Sequence, residues 1–285
     1  MKTLMNRIAA LVVVVVLIFR LTGNAHATTV VAIVVRDGIV VGADGKTTNA
    51  VNGPGKATKA FLLKKRLIVA NLGIENDPGF YNFSLWIKSV DCNTAANISL
   101  SALVETIRKH MRKNFAHVIG DVESGALTKE LAVKIQMPRY LVEYVVAGYE
   151  EGAPKVYTLS LVPDWNKKVV NGPILETKIP VPGRTLSTGV FCDGIFERIE
   201  AIRRGDRHAQ EEFLSRFPAG SIRLNSDDWN LGEASMSARA FLGIEAKHAP
   251  DHVGFPVTII TLRNGSHGSV NTYTSDVAHF TDNKK

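Results

Sequence analysis

The chain has 285 residues, 45% hydrophobic and 21% charged, with 23 glycines and 11 prolines. This excludes a collagen-like, low-complexity or wholly disordered chain. Its two cysteines exclude a disulfide-dense scaffold and a four-cysteine zinc site, and no apolar run reaches the roughly 18–20 residues of a membrane-spanning helix. The net charge of +7 is not gathered into a basic stripe with interleaved aromatics, so a nucleic-acid partner is not expected.

Residues 1–27 have the pattern of an export signal. Lys2 and Arg7 precede an apolar stretch from Ile8 to Phe19, and Ala25-His26-Ala27 is an A-x-A cleavage site, which places the cut before Thr28. A retained membrane anchor is the competing reading; Arg20 favours it and the shortness of the apolar stretch opposes it. Loss of Lys2, Arg7 and Arg20 leaves 31 basic against 27 acidic residues. The expected location is then extracytoplasmic, periplasmic or secreted, with no stable anchor after processing and with disulfides permitted. Cys92 and Cys192 stay open between a disulfide and two buried apolar side chains.

Residues 28–285 read as a single domain, with no repeat, linker or composition shift. Thr29 to Val35 is a nearly unbroken apolar, β-branched run, the pattern of a strand buried on both faces. Asp37-Gly38 turns the chain into a second strand, Ile39 to Ala43, ending at Asp44. A polar loop follows, then a hairpin of Ala60 to Leu63 and Leu67 to Leu72. Phe80 to Val90 predicts a short helix, and Leu100, Leu103, Ile107 and Met111 mark one face of a longer one. Tyr140 to Tyr149 and Val156 to Leu161 return to strand. Ile195, Phe196, Ile199 and Ile202 predict a helix beginning near Asp193; Trp229 to Ile244 is another, stopped by Pro250. Val257 to Leu262 and Ser269 to Tyr273 close as a hairpin around Asn264-Gly265. Strands grouped in hairpins predict antiparallel sheets, and two packed sheets between helical layers fit the order.

The predicted cut leaves a threonine with a free α-amine at the start of a buried strand. A threonine hydroxyl alone is a poor nucleophile. An N-terminal amine has a pKa of about 7.7–8.0, so much of it can accept a proton at neutral pH. Nucleophile and base then come from one residue.

The run Thr28-Thr29-Val30-Val31-Ala32, followed by Asp37-Gly38-Ile39-Val40-Val41-Gly42-Ala43-Asp44, resembles the start of mature proteasome β-subunits and of the related bacterial peptidase that works with an ATP-driven unfoldase. Both are N-terminal-nucleophile hydrolases. The resemblance is clear over residues 28–75 and patchy beyond. It implies a four-layer α+β sandwich, with two antiparallel sheets between helical layers, and amide hydrolysis through an acyl-enzyme on Thr28. It also implies roles for Asp44, 16 residues after Thr28, for Lys59, and for Gly73, 14 residues after Lys59. A desolvated Lys59 supplies a positive field that favours the ionised hydroxyl and the neutral amine, Asp44 pairs with it, and the Gly73 N–H meets the oxyanion. The loop from Asp44 to Lys59 is about one residue shorter than in typical members, a change a loop tolerates.

Further on, Thr188 is the candidate for the family's serine-glycine ahead of the third main helix, and Asp251 for an aspartate near the nucleophile. Gly254 stands where the family has a serine, and Ile74 where many members have a small residue. The resemblance further implies a peptide or amide substrate, a homo-oligomeric ring and no cofactor. Alternatives are a small-molecule acylase or amidase of the same chemistry, and a non-catalytic structural subunit.

The remaining candidates carry less. His248 and His252 have a metal-ligand spacing interrupted by Pro250. His110 and His117, with Arg108, Lys109, Arg112 and Lys113, read as a solvated face of one basic helix. Glu105, Glu130 and Glu143 form no recognisable carboxylate pair, and no phosphate-cradling glycine motif is present.

Overall fold

A computed structural model describes residues 28–49, 53–74, 76–77, 81–134, 139–179 and 188–274. The export-signal reading of residues 1–27 lies outside the described residues.

Strand β1 (Thr29–Val35) is buried along its whole length, and its alternation explains why. Val31, Ile33 and Val35 join an apolar cluster with helices, while Val30, Ala32 and Val34 face the other way into a second cluster. A strand covered on both faces needs apolar residues at every position, which is the pattern the sequence carries.

One sheet is built around β1. It pairs with β2 (Gly38–Asp44), from Val30↔Ala43 to Val35↔Gly38, and on its other side with β12 (Gly189–Gly194). The hairpin of β13 (Val257–Arg263) and β14 (Ser269–Tyr273) completes the order β12-β1-β2-β13-β14. The second sheet takes β5 (Ala60–Leu63), β6 (Leu67–Gly73), β9 (Val142–Glu150), β10 (Ala153–Asp164) and β11 (Val169–Ile179) in the order β11-β10-β9-β6-β5. Every strand pairing in both sheets is antiparallel.

The sheets pack face to face through Val30, Ala32 and Val34 on one side and Ile68, Ala70, Leu72, Val145 and Ala147 on the other. Helices α1 (Phe83–Asn93), α2 (Leu100–Asn114), α3 (Ala116–Ser124) and α4 (Lys129–Lys134) follow β6 and precede β9, and their apolar side chains join those of the second sheet. Helices α5 (Glu197–Arg203), α6 (Arg207–Leu214) and α7 (Leu231–His248) cover the first sheet. The result is the expected helix–sheet–sheet–helix sandwich. Helix α7 starts two residues later than the Trp229 expected, because Asn230 and Glu233 cap it reciprocally.

Other boundaries correct the sequence reading. The polar loop after Asp44 contains a small hairpin, β3 (Lys46–Asn49) with β4 (Gly53–Lys56), and a second two-strand pair joins β7 (Asn76–Asp77) to β8 (Tyr81–Asn82). His110 and His117 sit on separate helices, since Phe115 (φ −106°, ψ 15°) interrupts the helical path. Cys92 is exposed on α1 and Cys192 buried on β12, and both are free. Burial pushes the Cys192 thiol up to about 12, so it behaves as an apolar side chain.

Candidate active site

Thr28 immediately precedes β1 and is 1% exposed. Its carbonyl accepts from the N–H of Ile195 at 3.3 Å, and the next hydroxyl, Thr29 Oγ1, donates to the Ile195 carbonyl. The end of β12 therefore grips the start of β1 from one side.

Asp44 comes from the other side, at the end of β2, and is fully buried. Its Oδ1 accepts from the Thr29 N–H at 2.8 Å. Its Oδ2 accepts from the N–H groups of Lys46 at 3.1 Å and Gly254 at 3.4 Å. Burial raises the Asp44 pKa, while Lys59 and the three backbone donors hold it down. All of these neighbours favour the charged carboxylate.

Lys59 lies just before β5, and Asn71 N–H on β6 bonds its carbonyl at 2.8 Å. Its side chain is buried, an arrangement that requires partners. Nζ donates to Thr28 Oγ1 at 2.7 Å and to the Lys46 carbonyl, with Asp44 Oδ2 at 3.7 Å. A compact ammonium thus meets a hydroxyl, a carbonyl and a carboxylate. The structure brings Thr28, Asp44 and Lys59 together.

Gly73 ends β6 opposite Val142 with φ +86°, and a Cβ there would lie 2.5 Å from the Leu141 carbonyl. Only glycine takes this conformation without strain. The preceding Leu72 reaches the same place, since its Cδ2 is 3.3 Å from where a Cβ on Gly194 would stand.

Thr188 and Asp251 are placed differently. Gly194 pairs with Thr29 and Gly189 with Val34, so Thr188 is at the far end of β1, about 20 Å from Thr28 at the usual strand rise. Its hydroxyl donates instead to Asp227 at 2.8 Å. The stretch expected to lead into a helix is β12 itself, and the residues it delivers beside Thr28 are Asp193 and Gly194. Asp251 is exposed, on the wall of a 1160 Å³ cavity that also touches Gly194, Ile195 and His252. The loop around it does support the site: Pro250 O accepts from Lys46 Nζ, and Gly254 O from the Gly45 N–H. A Cβ on Gly254 would stand 3.2 Å from Lys46 Cδ, so the lysine chain occupies the space a side chain at 254 would need. His248 is bound to Glu212 rather than facing His252 as a metal ligand.

Gly194 is the tightest backbone contact. Its φ is +91°, and a Cβ would fall 1.5 Å from the Thr28 carbonyl oxygen. Gly194→Ala is expected to lower stability by about 2 kcal/mol or more, from left-handed strain and displacement of the Thr28 peptide; denaturant unfolding measures it. An unchanged midpoint would mean that β12 does not grip Thr28 this way.

The comparisons with known proteins agree with this architecture. Residues 24–119 match the proteasome subunit family, a segment that contains Thr28, Asp44, Lys59 and Gly73. The Anbu protein of Yersinia bercovieri, described as an ancestral β-subunit, superposes with a TM-score of 0.53 at 14% identity, covering 87% of this chain and 88% of its own. The fold is proteasome-like. The Anbu complex of Pseudomonas aeruginosa, described as a helical assembly, gives 0.53 at 15% identity, covering 87% of each chain. No curated protein matches the chain by sequence.

Proposed function

We propose that this chain is an exported N-terminal-nucleophile amidohydrolase, a threonine-type peptidase that becomes active when cleavage after Ala27 frees the Thr28 amine. The observation that supports it best is the 2.7 Å contact from the buried Lys59 ammonium to Thr28 Oγ1, balanced by Asp44. Desolvating that charge costs roughly several kcal/mol before it is paired, a cost that stabilisation of a reacting hydroxyl would account for.

In this reading Thr28 Oγ1 attacks the carbonyl carbon of a peptide bond, and its proton passes to the Thr28 amine directly or through a water. Lys59 stays protonated and stabilises the alkoxide as it forms. The Gly73 N–H donates to the carbonyl oxygen as it becomes negative. Collapse expels the amine of the product, which takes the proton from the Thr28 ammonium. Water then hydrolyses the ester left on Thr28 by the same groups in reverse. Short peptides and unfolded segments suit an exported enzyme with no ATP-driven unfoldase beside it. Assembly of several copies is part of this proposal, by likeness to the Anbu complexes, one of which is described as a helical assembly.

The processing site is tested by mass spectrometry of the exported protein. The expected mature chain begins at Thr28 and lacks residues 1–27. A mature chain that begins elsewhere leaves the hydroxyl without its neighbouring amine and removes the mechanism.

A further inference from the structure

Between the two sheets, next to Thr28, lies a polar group that the proposed reaction does not use. Asp193 on β12 pairs with Val30, so it shares the inter-sheet face of that residue. Glu143 on β9 has the same parity as Val145 and Ala147, which line that face from the opposite sheet. The two carboxyls therefore lie on facing sides of the gap between the sheets, and burial first, then hydrogen bonding and charge from Asp193, raise the Glu143 pKa to about 9. Ser160 Oγ on β10 donates to Glu143 Oε2. Glu143 Oε1 is buried with no donor among the described residues. Asp193 Oδ1 accepts from Tyr140 Oη at 3.2 Å and from the Gly194 N–H at 2.6 Å. The other charged group facing Glu143 is Lys178 of β11, itself bound to Glu176 and lying over the Phe191 ring. Arg139 adds positive charge near Tyr140. Two carboxyls can touch only if a proton lies between them.

We propose that Glu143 and Asp193 share one proton and that this bond holds the end of β12 against Thr28, which makes Glu143 a positioning residue for the nucleophile. The path is short. Asp193 is fixed by Glu143 and Tyr140, its carboxylate fixes the Gly194 N–H, and the following Ile195 N–H holds the Thr28 carbonyl. Loss of the shared proton puts two negative charges together between the sheets and pushes β12 away from β9. The positioning role rests on Thr28 being the nucleophile; the shared proton does not.

The sign of the pH effect follows from the raised pKa. Unfolded Glu143 titrates at its ordinary value, so between that pH and about 9 the folded chain holds a proton that the unfolded chain has released, and stability falls as pH rises. Glu245, raised to about 7, acts in the same direction at lower pH, and Cys192, raised to about 12, does so above about 8.5, where an unfolded thiol ionises, so the comparison with Glu143→Gln rather than the slope alone isolates the pair. The experiment compares the mature wild-type protein with Glu143→Gln, whose amide can donate to Asp193 at any pH, and with Asp193→Asn. Thermal melts, hydrogen exchange of the 189–197 segment corrected for intrinsic rate, and kcat are each measured from pH 7 to 9.5. The wild type is expected to lose melting temperature and protection of this segment toward pH 9.5. It is also expected to lose kcat at little change in KM, and Glu143→Gln to flatten all three. Wild-type protection that does not fall overturns the proposal even if neither variant folds. So does a Glu143→Gln melting profile that follows the wild type. Flattened melts with unaltered exchange at 189–197 overturn the positioning role. Absence of turnover in every form sinks the Thr28 reading alone, and the melts and exchange still decide the pair.

Discussion

Thr28→Ala is expected to reduce amide hydrolysis to background, a loss on the order of a millionfold in turnover where a nucleophile is removed outright. The fold should survive. Thr28 contributes its backbone carbonyl to Ile195, which alanine retains, and, among the described residues, its hydroxyl to Lys59. Losing that hydroxyl contact costs about 1–3 kcal/mol if Lys59 is left short of one acceptor, but the ammonium keeps the Lys46 carbonyl and Asp44. Thr28→Ser keeps a hydroxyl beside the amine and is expected to keep measurable turnover. Peptide hydrolysis provides one readout, and labelling with a threonine-directed electrophile a second: one adduct per mature chain in the wild type and in Thr28→Ser, none in Thr28→Ala. Hydrolysis by Thr28→Ala at the wild-type rate would show that another group attacks, or that a contaminant does.

The resemblance could single out the core of the candidate site because its parts are close along the chain. Thr28 and Asp44 both stand at the open end of one hairpin, with Val35↔Gly38 at the turn and Val30↔Ala43 near the open end. Any chain that forms this hairpin brings the two residues together. Lys59 and Gly73 flank the next hairpin in the same way. What escaped was fixed by distant partners. β12 is a strand because β1, some 160 residues upstream, offers it an edge. Locally, Gly189-Val-Phe-Cys-Asp-Gly194 runs into the helix-like spacing of Ile195, Ile199 and Ile202, which predicts a helix from near Asp193, whereas the helix begins at Glu197. The residues that β12 places beside the start of β1 are Asp193 and Gly194, not Thr188. Glu143 looked solitary for the same reason, since its carboxyl partner sits on the other sheet. β11 gave little alternation because Ile174 and Leu175 are both exposed on an edge strand and Gly172-Pro173 interrupts the run. The β3–β4 hairpin pairs Lys46–Asn49 with Gly53–Lys56, and neither strand carries a hydrophobic period in the sequence.

Lys59→Ala is expected to cost at least about a hundredfold in turnover, the range for one positioned electrostatic group in a dry site. The geometry argues for the upper part of that range, because the ammonium touches the attacking oxygen itself. Lys59→Arg should not restore activity. The space holds one nitrogen among Thr28 Oγ1, the Lys46 carbonyl and Asp44, and a planar guanidinium does not fit three acceptors arranged around a point. Asp44→Asn removes the counter-charge but keeps one oxygen for the backbone donors of Thr29, Lys46 and Gly254. The lysine then lacks its buried counter-charge, and its neutral form gains. Its loss of charge should depress turnover and move the basic limb of the pH–rate profile to lower pH. The stability cost, about 3–5 kcal/mol for breaking one side of a buried ion pair, appears in denaturant unfolding. In the double variant neither charge is left unpaired, so both costs should fall well short of the sum of the single ones. A double-mutant cycle measured on kcat and on unfolding free energy decides the matter. Strong coupling in both quantities means that Asp44 and Lys59 act as one unit on Thr28. Additive losses, or normal turnover in Lys59→Ala, would make the ion pair a structural clasp and this chain a subunit whose N-terminal threonine does no chemistry.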